Sequence, residues 1–201
     1  MKKKLILLFL MSLLPLKAFA LIEVDITRGN LNPLPLAVSP LSIDDKSKKS
    51  FEKILKKENI GSEISTIVEN NLRTSGLFNP ISKDAFLQAP DIANLKPRFE
   101  DWNLIKAQAL ITGKVTYVDE KLRVEFRLWD ILAAKEMMAL AFTTVPNNWR
   151  RVGHIISDKV YERLTGEKGY FDTRVIYVAE EGPKTQRKKR LAIMDQDGAN
   201  N

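Results

Sequence analysis

The chain has 201 residues, a formal net charge of +7, 44% hydrophobic and 28% charged residues, and no cysteine. These values are typical of a globular protein and exclude an intrinsically disordered chain. The lack of cysteine excludes disulfides, cysteine nucleophiles and thiolate metal sites. Four lysines fall within the first 20 residues, so the remainder carries only +3. This charge is weak evidence for a polyanionic partner, and we expect no nucleic-acid binding.

Residues 1–20 have the three parts of a secretory signal peptide. Lysines occupy positions 2–4, an almost wholly apolar run covers 5–16, and 18–20 reads Ala-Phe-Ala, a small-x-small cleavage pattern. A membrane-spanning helix needs about 20 apolar residues, so a non-cleaved anchor is the weaker alternative. We therefore expect cleavage after residue 20 and export from the cytoplasm.

Residues 21–27 alternate between apolar and polar, which predicts a half-buried β-strand at the new N-terminus. The two faces would hold Ile22, Val24 and Ile26 on one side and Glu23, Asp25 and Thr27 on the other. A second apolar run, 34–41, is interrupted by prolines that cannot donate to a β-ladder. We expect this strand to be short or to lie at a sheet edge.

Helical patterns follow the second strand. Residues 44–59 are lysine-rich and predict a short amphipathic helix or a surface insertion. The next helix has Ser62 as a plausible N-cap, and Gly76 stands where a glycine would end it. The apolar stripe of this helix consists of Ile64, Ile67, Val68 and Leu72. We expect 84–96 to be irregular and 98–108 to be helical, with buried Phe99, Trp102 and Ile105.

Three strands and a closing helix complete this part of the chain. The strands are expected at 109–118, 122–131 and 137–145, joined as an antiparallel meander. The middle strand would point Leu122, Val124, Phe126 and Leu128 inward and Arg123, Glu125, Arg127 and Trp129 outward. A helix at 148–165 would end at Gly166. The element order predicts an α/β (α+β) domain over 21–169, with helices packed on one face of a mixed sheet.

The tail, 170–201, has a different pattern. It predicts strands at 174–179 and 191–195, then a tight turn at Asp197-Gly198. A lone hairpin buries little surface and is marginal in water. We therefore expect this hairpin to begin an all-β domain of which this chain is a truncated product.

Several stretches, read together and in order, carry a family resemblance. They are the strand after residue 20, Pro-Leu-Ala-Val at 35–38, residues 67–80, Ile-Thr-Gly-Lys-Val at 111–115, and residues 153–178. The last is the most specific and contains Gly-His, Ser-Asp, Leu-Thr-Gly-Glu-Lys-Gly and Phe-Asp-Thr-Arg. In this order the stretches resemble the TolB family of the Tol–Pal envelope system. The segment 44–59 departs from the shorter connection expected of that family.

The resemblance implies a function and a location. Members are non-enzymatic adaptors in the periplasm that link the inner-membrane Tol complex to the outer-membrane lipoprotein Pal. That link supports outer-membrane integrity and invagination during cell division. The family fold implies that 170–201 starts a β-propeller, which would bind Pal and is largely absent here. The resemblance implies no cofactor and no catalytic residue.

The resemblance also implies a partner site, which is the N-terminal strand. In the family this segment engages TolA, an inner-membrane-anchored protein. The predicted partner-binding residues are Leu21, Ile22, Glu23, Val24, Asp25, Ile26 and Thr27. The pattern alone favours a strand that completes the sheet of its own domain, and only the resemblance favours the partner role.

Other candidate sites have simpler interpretations. His154, the only histidine, is more often a packing or surface residue than a base or ligand, since no partner is visible in the sequence. The run 195–200 fits a hairpin turn better than a calcium loop. The basic run 187–190 fits a solvated loop. Trp102 and Trp149 fall on buried stripes, whereas Trp129 is unexplained on its polar face.

Two other functions stay open. One is an exported hydrolase whose catalytic part is missing from this chain, although no GxSxG elbow or phosphate-binding glycine loop occurs. The other is a periplasmic domain that binds a small molecule, which would require a polar pocket.

Overall fold

A computed structural model of the chain describes residues 32–200. The predicted signal peptide, 1–20, and the predicted strand at 21–27 lie outside the described residues. The strands are β1 (Leu34–Val38), β2 (Ser42–Ile43), β3 (Phe78–Pro80), β4 (Ala109–Val118), β5 (Lys121–Asp130), β6 (Lys135–Thr144), β7 (Arg174–Glu181) and β8 (Lys188–Asp195). The helices are α1 (Asp45–Leu55), α2 (Ile60–Thr74), α3 (Pro90–Leu95), α4 (Phe99–Leu104) and α5 (Trp149–Thr165).

The main sheet is mixed, as the sequence predicted. Its strand order is β3-β1-β4-β5-β6, and the short β2 also pairs with β4. Strand β1 runs parallel to both β3 and β4, whereas β4, β5 and β6 form the antiparallel meander. The proline-containing strand β1 is short, with five residues, which is one of the two predicted alternatives, and it lies inside the sheet and not at an edge. Pro35 has no amide proton to donate, but its carbonyl still takes part in the sheet by accepting from the Gln108 amide at 3.0 Å.

The principal core lies between one face of the sheet and helices α2 and α5. The inward alternation predicted for the middle strand is confirmed, because Leu122, Val124, Phe126 and Leu128 are all no more than 1% exposed. Helix α1 packs at the edge of this core through fully buried Phe51, so the amphipathic helix predicted within 44–59 is present over Asp45–Leu55.

A second, smaller core lies on the opposite face of the sheet, and it corrects two predictions. Residues 84–96 are not irregular throughout, because they contain a 3₁₀ turn at Lys83–Ala85 and helix α3. The helices do not all pack on one face, since α3 and α4 cover this second face. Trp129 therefore points into an apolar cluster with Trp102, and it is only 8% exposed. The predicted helix at 98–108 is confined to α4.

Helix ends follow local hydrogen bonding. Helix α2 begins one turn earlier than Ser62 suggested, because the Asn59 side chain accepts from the Ser62 amide at 3.1 Å and is the true N-cap. The C-terminal glycines are confirmed. Gly76 has φ +74 and Gly166 has φ +76, a left-handed conformation in which a Cβ atom is strained.

The tail forms the predicted hairpin, β7 and β8, as a separate two-stranded sheet. Its strands are longer than predicted, because Glu180 and Glu181 stay in register with Lys189 and Lys188. Opposite charges on these facing pairs favour the extension. Within residues 32–200, none of the helices has the length and apolar character required to cross a bilayer.

Candidate functional site

The residue with the most unusual surroundings in the described structure is His154, which lies where α5 meets the hairpin. Its side chain is 2% exposed. Asn71 reaches it from α2, and Asp195 and Asp197 approach from the end of β8 and the turn that follows. These groups come from three elements far apart in the sequence, so the site joins the α/β domain to the hairpin.

A chain of hydrogen bonds fixes the protonation of this imidazole. The Ser157 hydroxyl donates to the Gly153 carbonyl at 2.9 Å. Its oxygen must therefore accept from the Asn71 amide nitrogen, 3.0 Å away. The same nitrogen lies 2.9 Å from His154 Nδ1, which must also accept. Neutral His154 consequently carries its proton on Nε2.

The Nε2 proton faces a carboxylate. Nε2 lies 3.7 Å from Asp197 Oδ2 and has no hydrogen-bond partner among the described residues. Burial lowers the pKa of His154, with the Arg150 cation adding to this effect against the opposing charges of Asp197, Asp195 and Asp172. The imidazole is therefore held neutral as a donor directed at the turn.

Arg150 is the cation of this junction. Its guanidinium hydrogen-bonds Asp197, and its Nε lies 4.0 Å from Asp195 Oδ2. Burial raises the pKa of Asp197, but the Ala199 amide and the charge of Arg150 outweigh it and leave that pKa below 3.8. Helix α5 and the turn are thus joined by a partly buried ion pair.

The same three groups could be read as a metal site, because His154, Asp195 and Asp197 offer ligand atoms within 4.8 Å of one another. Two arguments oppose this. Arg150 and Arg174 already face the two carboxylates, and Arg174 Nε lies 3.8 Å from Asp195 Oδ1. In the observed hydrogen-bond network the His154 Nε2 lone pair is protonated, whereas a ligand nitrogen must be free. The arrangement fits an ion-pair junction better than a cation site.

The histidine and serine do not form a nucleophilic pair. The Ser157 hydroxyl is fully buried and donates to a carbonyl, and Asn71 stands between it and the imidazole. Nucleophilic catalysis requires the base to accept the hydroxyl proton. This geometry gives the hydrolase interpretation no support within the described residues.

An open groove of about 680 Å³ borders the junction. One wall is a polar stripe along α2, made of Ser62, Thr66, Asn70 and Thr74, and the other includes Trp149, Arg150, Gln196 and Asp197. The faces of the Trp149 ring are approached by Lys57 and Arg150, with the Lys57 nitrogen 4.9 Å from the ring centre. Most residues that line the groove are polar, and its aromatic residue is only 9% exposed, so it offers little surface for stacking a ligand.

The linker before the hairpin is held by α5 as well. The Asp158 carboxylate accepts from the amides of Phe171 at 2.7 Å and Asp172 at 3.1 Å. Arg151 pairs with Asp172 through two nitrogens, which raises the pKa of Arg151. A Cβ atom on Gly169 would lie 2.4 Å from Asp158 Cα, so no side chain fits there. About two turns of α5, from Arg151 to Asp158, thereby position the start of the hairpin.

The other candidates from the sequence are parts of the hairpin or of the apolar cores. Residues 195–200 form a turn at the end of β8, in which the Gly198 amide donates to the Asp195 carbonyl at 2.9 Å. The basic run 187–190 is not the predicted loop, because Lys188, Lys189 and Arg190 belong to strand β8. Arg187 and Lys189 both pair with Glu180 at the surface. Trp102 and Trp149 are buried, as predicted.

Sequence reasoning missed the partners of His154. Asn71 is 83 residues away, and nothing in its local pattern distinguishes it from other polar helix positions. The tight-turn signal at Asp197-Gly198 was visible, but its approach to α5 was not. The predicted partner-binding residues, 21–27, lie outside the described residues, and their role stays a prediction.

Comparisons with known proteins agree with one another. The family model described as the TolB amino-terminal domain matches residues 22–137. A protein of Pelagibacter ubique named Tol-Pal system protein TolB is 82% identical over 195 residues, which cover 97% of this chain and 44% of that protein. The crystal structure of TolB from Acinetobacter baumannii matches with a TM-score of 0.68 at 22% identity, over 90% of this chain and 40% of that one. This chain therefore spans less than half the length of the relatives it matches, and the structural match supports the fold class.

Proposed function

This chain belongs to the TolB family, and from that premise we propose that it works as a non-enzymatic periplasmic adaptor of the Tol–Pal system. The adaptor links the inner-membrane Tol complex to outer-membrane Pal, and it supports outer-membrane integrity and invagination at division. The observation that carries the proposal is the 82% identity to a protein whose name places it in the Tol–Pal system.

The proposed contact with a TolA-like protein is made by residues 21–27, which add a strand to an open sheet edge of the partner. Five backbone bonds contribute about 5 kcal/mol at roughly 1 each. Ordering five residues costs about 5–10 kcal/mol. Burial of the apolar face adds about 4–9 kcal/mol at roughly 1.5–3 per side chain. The affinity is therefore modest and depends on Ile22, Val24 and Ile26.

The described domain supports a separable partner segment. Its principal core begins with Leu34, which is 6% exposed, and it is closed by helices that lie later in the chain. Within residues 32–200, the central strand β1 already has both neighbours, β3 and β4. Removing residues 21–25 should therefore cost the core no contact seen in the described part.

The test is a binding titration of the mature chain, residues 21–201, against the periplasmic part of TolA from the same organism. Deleting 21–25 should abolish binding while leaving the thermal midpoint unchanged. Two triple variants show which face of the strand supplies the binding free energy. The variant with Ile22, Val24 and Ile26 all changed to Ser should bind at least tenfold more weakly. Glu23, Asp25 and Thr27 changed to Ala should bind with a smaller loss. Undiminished affinity of the deletion variant would refute the proposed site.

We propose that Pal is bound by a β-propeller that starts at the hairpin. The hairpin has apolar side chains exposed on both faces, with Ile176 at 69% and Leu191 at 78% exposure on one face and Val175 at 39% on the other, which supports the packing of further strands against it. The relative extends well beyond the matched region. We therefore expect this chain alone to bind no Pal in a pull-down, whereas a full-length relative does.

A further inference from the structure

Strand β6 is an open edge of the main sheet. It is the last strand in the order and pairs only with β5 among the described residues. Within residues 32–200, the only hydrogen bond from a side chain to its main chain runs from Arg163 Nε to the Met137 carbonyl, at 3.4 Å. Among residues 32–200, the outward amides and carbonyls beyond Met137 have no strand paired to them.

Most of this edge lacks the features that usually keep sheet edges apart. Proteins protect an edge with charges, proline, bulges or a very short strand. In β6 these occur at one end only, where Lys135 and Glu136 lie beside the register shift at Leu128/Trp129. Residues 138–144 read Met-Ala-Leu-Ala-Phe-Thr-Thr and contain no charge, proline or glycine. The opposite edge, β3, is by contrast three residues long and ends in Pro80.

The core side of β6 is apolar and incompletely covered. The register places Met138, Leu140 and Phe142 opposite the buried residues Leu128, Phe126 and Val124. Phe142 stacks on Phe126 with ring centres 6.1 Å apart, whereas Leu140 at the middle of the strand stays 38% exposed. A strand added beside β6 would extend the core and cover this leucine.

We propose that a second copy of this chain occupies the edge, with the two β6 strands paired antiparallel around Leu140. A two-fold axis at Leu140 sets the two leucines opposite each other. It also sets Met138 opposite Phe142 of the second copy, a sulfur–aromatic contact that is favourable. Isologous pairing requires a surface that is complementary to itself.

Charge supports a second copy as the occupant. In this register Glu136 faces Thr144 and Lys135 faces Val145 of the second copy. No like charges meet, although like charges directly opposite would destabilise a strand pair. One strand pair buries less than the about 1,200 Å² of a stable standard interface. We therefore expect a weak dimer with a dissociation constant of about 10–500 µM.

The test is sedimentation equilibrium of the mature chain, residues 21–201, at concentrations spanning that range. Leu140→Glu and Leu140→Lys each set two like charges across the axis. Each variant alone should dimerise at least tenfold more weakly than the parent chain. An equimolar mixture should recover dimerisation as a heterodimer, because opposite charges then meet. Circular dichroism at each step verifies that both variants are folded.

A matched control uses Leu95, which is 83% exposed on the other face of the sheet. Leu95→Glu and Leu95→Lys should dimerise like the parent chain. The proposal is overturned if the parent chain stays monomeric throughout the range, or if Leu140→Glu dimerises undiminished. It is equally overturned if the folded Glu and Lys variants fail to combine. Dimerisation that appears only after deletion of 21–27 would show that this segment covers the edge instead.

Discussion

The buried imidazole of His154 gives the protein one titration that can be assigned without ambiguity, because there is no other histidine. Burial keeps its pKa below 6.5 in the folded chain, whereas the unfolded chain titrates near the ordinary value. Above about pH 6.5 both states are neutral and stability is full. As the pH falls below that value, the unfolded state takes up the proton first. The free energy of unfolding therefore decreases until the pH reaches the lower pKa of the folded state.

We therefore expect His154→Gln to reduce the change in the free energy of unfolding between about pH 7 and pH 5. Urea titrations across that range measure this change. Nitrogen chemical shifts of the imidazole should show the neutral form protonated on Nε2, as the Asn71 and Ser157 hydrogen bonds require. An Nδ1-protonated form, or a parent chain with no pH dependence, would contradict this assignment.

Helix capping gives a second test at the scale of single residues. Asn59→Ala removes the side chain that accepts from the Ser62 amide, and should cost about 0.5–2 kcal/mol. Ser62→Ala is the control and should change stability by less than about 0.5 kcal/mol. Chemical denaturation of both variants compares them. A larger loss of stability for Ser62→Ala than for Asn59→Ala would indicate that Ser62 is the N-cap, as its sequence position first suggested.

At the scale of elements, the meander and the closing helix were predictable because each carries a long, regular pattern. The alternation in β5 and the apolar stripe of α5 extend over 10 and 17 residues. The buried stripe Phe99, Trp102 and Ile105 was also predicted, and it belongs to the second core. Helix α3 has only six residues, too few for a periodic signal. The sequence did not show that α3 and α4 cover the opposite face of the sheet, so Trp129 was placed on a polar face.

The second core predicts a large effect at that tryptophan. Trp129 packs edge-on against Phe99, 5.9 Å between ring centres, and its indole N–H donates to Thr112 Oγ1 at 2.9 Å. Trp129→Ala should cost about 3–5 kcal/mol of unfolding free energy. Trp129→Phe keeps a ring but loses the hydrogen bond, and we expect a smaller loss. A cost for Trp129→Ala below about 0.5 kcal/mol would indicate an exposed surface residue instead.

At the scale of the whole molecule, the predicted domain boundary at 169/170 can be tested by truncation. Phe171 is fully buried in the principal core, and Asp158 holds its amide. A mature chain ending at residue 173 should keep the stability of the α/β domain. One ending at 169 should lose about 3–5 kcal/mol, the usual cost of removing a buried phenylalanine. Equal stabilities would place the boundary where the sequence pattern did.

The junction between domain and hairpin was the part that sequence could not supply. Arg150, His154 and Asp158 lie on one helix, yet the groups they meet follow a linker whose path depends on tertiary contacts. The polar character of the turn at 195–198 was readable, whereas its contact with Arg150 requires the folded chain. The alternation at 21–27 predicts a strand and only the family resemblance gives it a partner role, so both stay predictions.

The central position of β1 has a consequence for how the chain acquires its structure during synthesis. Its first neighbour, β3, arrives about 40 residues later, and its second, β4, later still. A ribosome delivers the amino end first, so Leu36 and Val38 must wait, water-exposed, until most of the domain has been made. Hairpins such as β4–β5 close locally and fast, while these distant parallel pairings close slowly. Chaperones that bind unfolded chains should therefore be able to bind this one until late in translation.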